Sequence, residues 1–289
     1  MTAEVSRQSS LVPIAERLPG TRKREALRMS SLVAVENARK LYTTPRWGRR
    51  PEGTSVKGVA EASLEIRRGE TVGLVGESGS GKSTLGRLVL GLEKPDSGEI
   101  GYKGVSISKM TRRQSVAFRR SVQPVFQDPS ASLNPRRSVR QIVGDAMLRY
   151  RMVARREIEA AVVEQLERVG LVPARKYLDR LPSQLSGGQQ QRIAIARAFC
   201  IRPELVVADE ALSSLDHSVQ AEVLELMAEL KSETGVSYLF ISHDIRVTRA
   251  FCDQVHVMKD AEIIESGPAA EILAHPNHDY TRRLIAASY

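Results

Sequence analysis

The run Thr71-Val-Gly-Leu-Val75 leads without a break into Gly76-Glu77-Ser78-Gly79-Ser80-Gly81-Lys82-Ser83-Thr84, which fits G-x-x-x-x-G-K-[ST]. A buried strand, a glycine-rich loop and a helix, in that order, leave few architectures open. The strand must be internal to a sheet, and the helix must pack back onto it. Gly76, Gly79 and Gly81 let the backbone turn tightly and bring N–H groups onto phosphate oxygens. The helix that follows offers the positive end of its dipole. Lys82 would reach the β- and γ-phosphates, and the Ser83 hydroxyl would ligate Mg²⁺. Glu77, Ser78, Ser80 and Thr84 complete the expected nucleotide-binding loop.

A second apolar run, Leu205-Val-Val-Ala208, ends in Asp209-Glu210. Asp209 is expected in the Mg²⁺ shell, as in other P-loop enzymes. Glu210 then lies beyond the strand end, where it can orient and deprotonate an attacking water. Buried strands often end in acids, so this pair gains its meaning from the loop upstream.

Leu185-Ser186-Gly187-Gly188-Gln189 opens an apolar helical segment containing Ile193 and Ile195. A plain capped helix would explain those five residues alone. Read as a second phosphate-binding helix start, they raise a geometric problem. One nucleotide cannot easily sit on two separate helix N-termini of a small domain that already has a complete P-loop. The simpler solution is that this motif serves ATP held by another subunit.

Leu185–Gln189 also resembles the signature of the ATP-binding cassette (ABC) ATPases, and other positions then match that family in its order. Gln127 in Val-Phe-Gln-Asp-Pro resembles the glutamine that senses Mg²⁺ and γ-phosphate. Ser214-Leu215-Asp216 resembles the D-loop of the dimer interface, and His243 resembles the switch histidine at the γ-phosphate. Tyr42 resembles the aromatic that stacks on adenine, with Trp47 as a rival. The resemblance covers roughly residues 32–289. It implies an α/β RecA-like P-loop core, an N-terminal antiparallel β portion and an inserted helical subdomain. It also implies ATP and Mg²⁺ as cofactors and function in head-to-tail pairs.

Narrower similarities follow. Asp128-Pro-Ser-Ala-Ser-Leu-Asn-Pro135 resembles the oligopeptide, dipeptide and nickel importer subfamily. Glu210-Ala-Leu-Ser-Ser-Leu-Asp216 is similar to the second of its two paired ATPases, with Ala211 where many relatives have Pro. His278-Asp-Tyr-Thr-Arg-Arg-Leu284 resembles that subfamily's His-Pro-Tyr-Thr tail, with Asp279 in place of Pro. By resemblance the chain pairs with a second ABC ATPase, a paralogue, and drives a membrane permease fed by an extracytoplasmic solute-binding protein. That places it peripherally, on the cytoplasmic face of the inner membrane. Some members hold an iron–sulfur cluster on C-terminal cysteines. This chain has no cysteine after Cys252, so no cluster is expected.

Composition sets the remaining limits. No run of 18 apolar residues occurs, so no helix of this chain is expected to span a bilayer. Cys200 and Cys252 are too few and too far apart for a disulfide framework or zinc module, and one nearby His256 does not close a metal site. The net charge of +9 raises the question of nucleic acid. It is concentrated in residues 1–50, with 11 Lys/Arg against 4 Asp/Glu, and in Arg112–Arg156, with 11 Arg against 2 Asp. Neither stretch has the interleaved aromatics of a single-strand binder. The readings are a solvated face or a surface toward anionic lipid or a partner, with no nucleic-acid partner.

The alternative is a soluble ABC ATPase acting on nucleic acid or in translation. Such proteins usually carry two cassettes, zinc modules or coiled-coil insertions, and this chain shows none of them. Residues 1–28 lack any sustained period and read as a disordered extension, with Met29 as an alternative start. The cassette then spans 29–289. Its core covers about 29–128 and 201–268, its helical subdomain about 129–200, and its helical tail 269–289.

Overall fold

The computed structural model describes residues 31–42 and 57–288. The expected extension, the start at Met29 and Trp47 all lie outside the described residues. The elements run β1 (Val33–Tyr42), β2 (Lys57–Ile66), β3 (Thr71–Val75), α1 (Lys82–Val89), β4 (Ser97–Tyr102), β5 (Val105–Ser106) and α2 (Arg112–Ser121). Then come β6 (Val122–Phe126), α3 (Pro129–Ser132), α4 (Val139–Arg149), α5 (Ile158–Arg168) and α6 (Gly187–Phe199). The chain continues through β7 (Leu205–Asp209), α7 (His217–Thr234), β8 (Ser237–Ser242), α8 (Ile245–Phe251), β9 (Gln254–Lys259) and β10 (Glu262–Pro268). It closes with α9 (Ala269–Ala274) and α10 (Asp279–Ala286).

The strands join in the order β5-β4-β1-β2-β10-β9-β3-β8-β7-β6. β3 has parallel partners on both sides, β8 and β9, and all five of its residues are buried. β7 and β6 extend the parallel part, while β1, β2, β4 and β5 form an antiparallel wing. β10 pairs antiparallel with β9 and meets β2 at Glu262 and Glu61, which joins the two parts.

The unbroken apolar runs have a physical reason. In β7, Leu205 and Val207 enter one core while Val206 and Ala208 enter the other. In β8, Leu239 and Ile241 take the first side, Tyr238 and Phe240 the second. A parallel sheet covered on both faces needs apolar residues at every position. The first core holds Leu85 and Leu88 of α1 with Val33, Val35 and Ile66 of the antiparallel wing. The second holds Ile193 and Ile195 of α6 with Val223 and Met227 of α7. It continues into the helical arm through Val143, Val162 and Leu166, so α4 and α5 share the core beneath them.

β4, β5, α2 and β10 carry weak sequence signals. β4 buries only Ile100 and Tyr102 and carries two glycines. α2 buries only Phe118 and is started by a Thr111–Gln114 capping box. β10 contains no fully buried residue. α5 begins at Ile158, after a short 3₁₀ turn over Arg155–Glu157. Within the basic stretch, Arg137 pairs with Asp145 at 2.5 Å and Arg140 with Glu159 at 2.8 Å, and these exposed pairs add little stability. Cys200 and Cys252 are both buried free thiols. His256 bonds Ser266 Oγ at 2.7 Å, and burial pulls its pKa down to about 4.

Candidate functional site

The loop after β3 turns through three glycines with positive φ, 150° at Gly76, 84° at Gly79 and 106° at Gly81. At two of them space is also decisive. A Cβ on Gly76 would lie 2.1 Å from Met258 O, and one on Gly81 would lie 2.2 Å from Gly58 O. The loop therefore closes against β9 and β2 as only glycine allows. Gly81 is also the N-cap of α1 and supplies no side-chain cap, so the first N–H groups of the helix stay available to a ligand. Ser80 Oγ is buried with no hydrogen-bond partner among the described residues, which suits a polar guest in the loop.

Lys82 is 3% exposed, and its ammonium donates to Gly76 O and Glu77 O, both at 2.7 Å. Burial lowers its pKa, while Glu210, Asp209 and Glu77 hold it up. Ser83 Oγ donates to Asp209 Oδ1 at 2.9 Å. Burial pushes the Asp209 carboxyl up, the Ser83 bond opposes this, and neighbouring Glu210 adds to the rise. Two hard oxygen donors thus face one another at the end of β7.

Glu210 lies one residue past β7 with φ at 48°, an uncommon conformation for a residue with a Cβ. Its N–H donates to Ile241 O at 2.9 Å, and Ser213 closes the turn on its carbonyl through N (3.1 Å) and Oγ (2.9 Å). The carboxylate is one-fifth exposed, and His243 Nδ1 lies 3.7 Å from its Oε2. His243 leaves β8 on the exposed side, and that separation is longer than a hydrogen bond. Gln127 is exposed past β6, and its carbonyl accepts from Ser214 Oγ at 3.0 Å. The Gln127 and Ser214–Asp216 loops are therefore tied together within one chain.

A cleft of about 720 Å³ brings together the Glu77–Thr84 loop, Tyr42, Gln127 and Glu210. Tyr42 is 40% exposed and its phenol bonds the Glu93 carboxylate. Partial burial and that carboxylate raise the phenol's pKa. Lys259, Asp260 and Tyr280 also line the cleft, and the sequence reading assigned them no role. Lys259 and Asp260 lie at the β9–β10 turn, where Asp260 and Ala261 both have positive φ. Ala261 N donates to Ser80 O at 3.1 Å, so this turn braces the phosphate loop. An Asn-Gly or Asp-Gly pair would have announced such a turn, but Asp-Ala does not.

Ser186, Gly187, Gly188 and Gln189 do not line that cleft. Ser186 Oγ accepts from Gln189 N at 3.3 Å, and Gln189 Oε1 accepts from Ser186 N at 3.1 Å. The box leaves the N–H groups of Gly187 and Gly188 outside it, and Ser186 and Gly187 are exposed. Asp216 is the N-cap of α7, accepting from Val219 N at 3.0 Å and Ser218 Oγ at 2.7 Å. These bonds lower its pKa.

The ABC transporter family model matches residues 59–213, from β2 through the turn after Glu210. The chain belongs to the ABC transporter family. It is 44% identical over 233 residues to the oligopeptide transport ATP-binding protein OppF of Lactococcus lactis, covering 81% of this chain and 72% of the relative. It is 46% identical over 235 residues to AppF of Bacillus subtilis, another oligopeptide transport ATP-binding protein, covering 80% and 70%. Among solved structures, cbiO1 of Clostridium perfringens, part of a transporter complex, has a TM-score of 0.71 at 30% identity, covering 85% of this chain and 92% of that one. A dimeric ATP-binding cassette bound to ADP and Pi after hydrolysis has a TM-score of 0.70 at 29% identity, covering 82% and 98%. The fold is that of an ABC ATPase, and the chain is an ATP-binding, ATP-hydrolysing subunit of that family.

Proposed function

We propose that this cassette powers the import of peptides, or of a related small solute, through a membrane permease. Its relatives are named for oligopeptide transport at 44–46% identity. The partners would be a second ABC ATPase, a paralogue, the integral-membrane permease subunits and, indirectly, an extracytoplasmic solute-binding protein. Among the described residues no helix is long and apolar enough to cross a membrane, which suits a peripheral subunit on the cytoplasmic face.

One observation carries the catalytic part of this reading. Lys82, Ser83 and Glu210 line a single cleft, with Asp209 bonded to Ser83, and the signature residues do not line it. Lys82 would exchange its two carbonyl partners for phosphate oxygens. Ser83 and Asp209 fit Mg²⁺, which prefers carboxylate and hydroxyl oxygens and retains several waters. Gln127 would complete that shell from its own loop. Mg²⁺ bound there would neutralise charge on the β- and γ-phosphates. Glu210 would hold the attacking water and take its proton, with His243 toward the γ-phosphate. Tyr42 would stack on adenine. Ser186, Gly187, Gly188 and Gln189 would close over ATP held by the opposite subunit, with Asp216 at the interface.

Uptake of a labelled oligopeptide tests the proposal in cells whose gene copy carries Lys82→Ala. Uptake should fall to background while other solutes enter normally. Unchanged peptide uptake would sink the peptide assignment.

A further inference from the structure

The catalytic reading leaves the His278–Leu284 segment without a task. Tyr280 lies in the first turn of α10, yet it is 3% exposed. Its phenol oxygen accepts a hydrogen bond from Glu77 N at 3.0 Å. Lys82 Nζ donates to Gly76 O at 2.7 Å. The C=O of Gly76 and the N–H of Glu77 belong to one peptide unit. Lys82 therefore holds that unit at one end and Tyr280 at the other.

The peptide follows a glycine at φ 150°, where backbone freedom is large. When a phosphate takes the Lys82 ammonium, the carbonyl end loses a partner and the Tyr280 bond remains. The seat of Tyr280 is also built. Glu265 Oε1 accepts from Asn277 N at 2.7 Å, and Glu265 Oε2 accepts from His278 N at 3.3 Å and from Thr281 Oγ1. Thr281 is fully buried. Lys259 Nζ lies 5.3 Å from the centre of the Tyr280 ring, so the ring is held from the cleft side as well.

We infer that Tyr280 is a positioning residue for the phosphate loop. Through it, the C-terminal helix fixes the Gly76–Glu77 peptide in the orientation that receives the nucleotide. A fixed loop favours bound substrate and transition state alike, so its loss should appear in KM more than in kcat.

This inference rests on reading the cleft as the ATP site. The test is Tyr280→Phe in the full chain, which keeps the ring and its Lys259 contact and removes the hydroxyl. ATP affinity is measured by calorimetry on the subunit, and KM and kcat on the assembled transporter. The dissociation constant and KM should rise about three- to tenfold, as expected for one lost hydrogen bond. The kcat should stay within about twofold, and the nucleotide-free melting temperature should fall by no more than about 2–4 °C, the cost of that one bond. Unchanged affinity and KM would overturn the inference, and so would a lower melting temperature with normal KM. If Tyr280→Phe folds poorly, Glu265→Gln loosens the seat of α10 from outside the cleft. It should raise KM in the same direction, and a normal KM there would also overturn the inference. Lys82→Ala separates the two levels. If it abolishes ATP binding while Tyr280→Phe is normal, only the role of Tyr280 fails. If it leaves ATP binding intact, the reading of the cleft fails.

Discussion

Glu210 combines backbone strain with an acid at the end of a buried strand. Its φ of 48° costs about 1–2 kcal/mol for a residue with a Cβ, and three hydrogen bonds to its backbone hold it there. Such local strain persists only where the surroundings over-determine it, and it clusters at functional sites. The Ser83 hydroxyl engages Asp209, whereas the Glu210 carboxylate has His243 beside it. In the proposed mechanism the two acids have different tasks. Glu210→Gln keeps the shape and removes the proton acceptor. It should preserve ATP binding, lower hydrolysis by roughly 10²–10⁴-fold and accumulate a closed ATP-bound dimer. Rates measured under saturating ATP check this, and near-normal hydrolysis would remove Glu210 from the role of base.

At the scale of elements, the sheet end opposite the cleft is tied together by one acid, Glu204, just before β7. It bonds Arg68 and Lys103 at 2.6 Å, Tyr102 OH at 3.2 Å and Ser121 Oγ at 3.3 Å. These partners come from the β2–β3 turn, the β4–β5 hairpin and the end of α2. Burial alone would raise the Glu204 pKa, but the bonds from Lys103 and Arg68 outweigh it and hold the carboxyl below 4.5. A depressed folded-state pKa means stability that is present above the unfolded value and lost as pH falls through the folded one. Melting temperature should therefore drop as pH falls below about 4.5, and Glu204→Gln should flatten that part of the curve. An identical acid limb in the variant would show that Glu204 contributes nothing there. The same elements show what the sequence could and could not convey. β3 and β7 were legible because a sheet covered on both faces writes an unbroken apolar run. The P-loop was legible because φ demands all three of its glycines and space also demands Gly76 and Gly81. β4, β10 and α2 were not, because each rests on one or two buried side chains or none, and its placement comes from partners distant in sequence. Tyr280 was visible as a motif but silent as to role, since its partner Glu77 is 203 residues away.

At the scale of the whole molecule, two glycine-rich helix starts exist and one cleft collects only the first of them. α1 begins without a side-chain cap, whereas α6 begins with the Ser186–Gln189 box on an exposed surface. That division of labour is what a head-to-tail pair requires, with each chain completing the other's site. Gly187 is the place to test it. A Cβ there meets only Leu215 at 3.8 Å, whereas one on Gly188 would press Val219 at 2.7 Å and confound folding with function. Gly187→Asp puts a side chain and a negative charge where, on the proposed pairing, the opposite subunit's phosphate would approach, and leaves the chain's own cleft untouched. The decisive measurement is the ATP affinity of the isolated Gly187→Asp subunit beside that of Lys82→Ala. The pairing account predicts that Gly187→Asp binds ATP within about twofold of the unaltered chain while Lys82→Ala loses more than about tenfold, or 1.4 kcal/mol. A Gly187→Asp chain that loses ATP as completely as Lys82→Ala would place the signature in its own subunit's site and contradict the account.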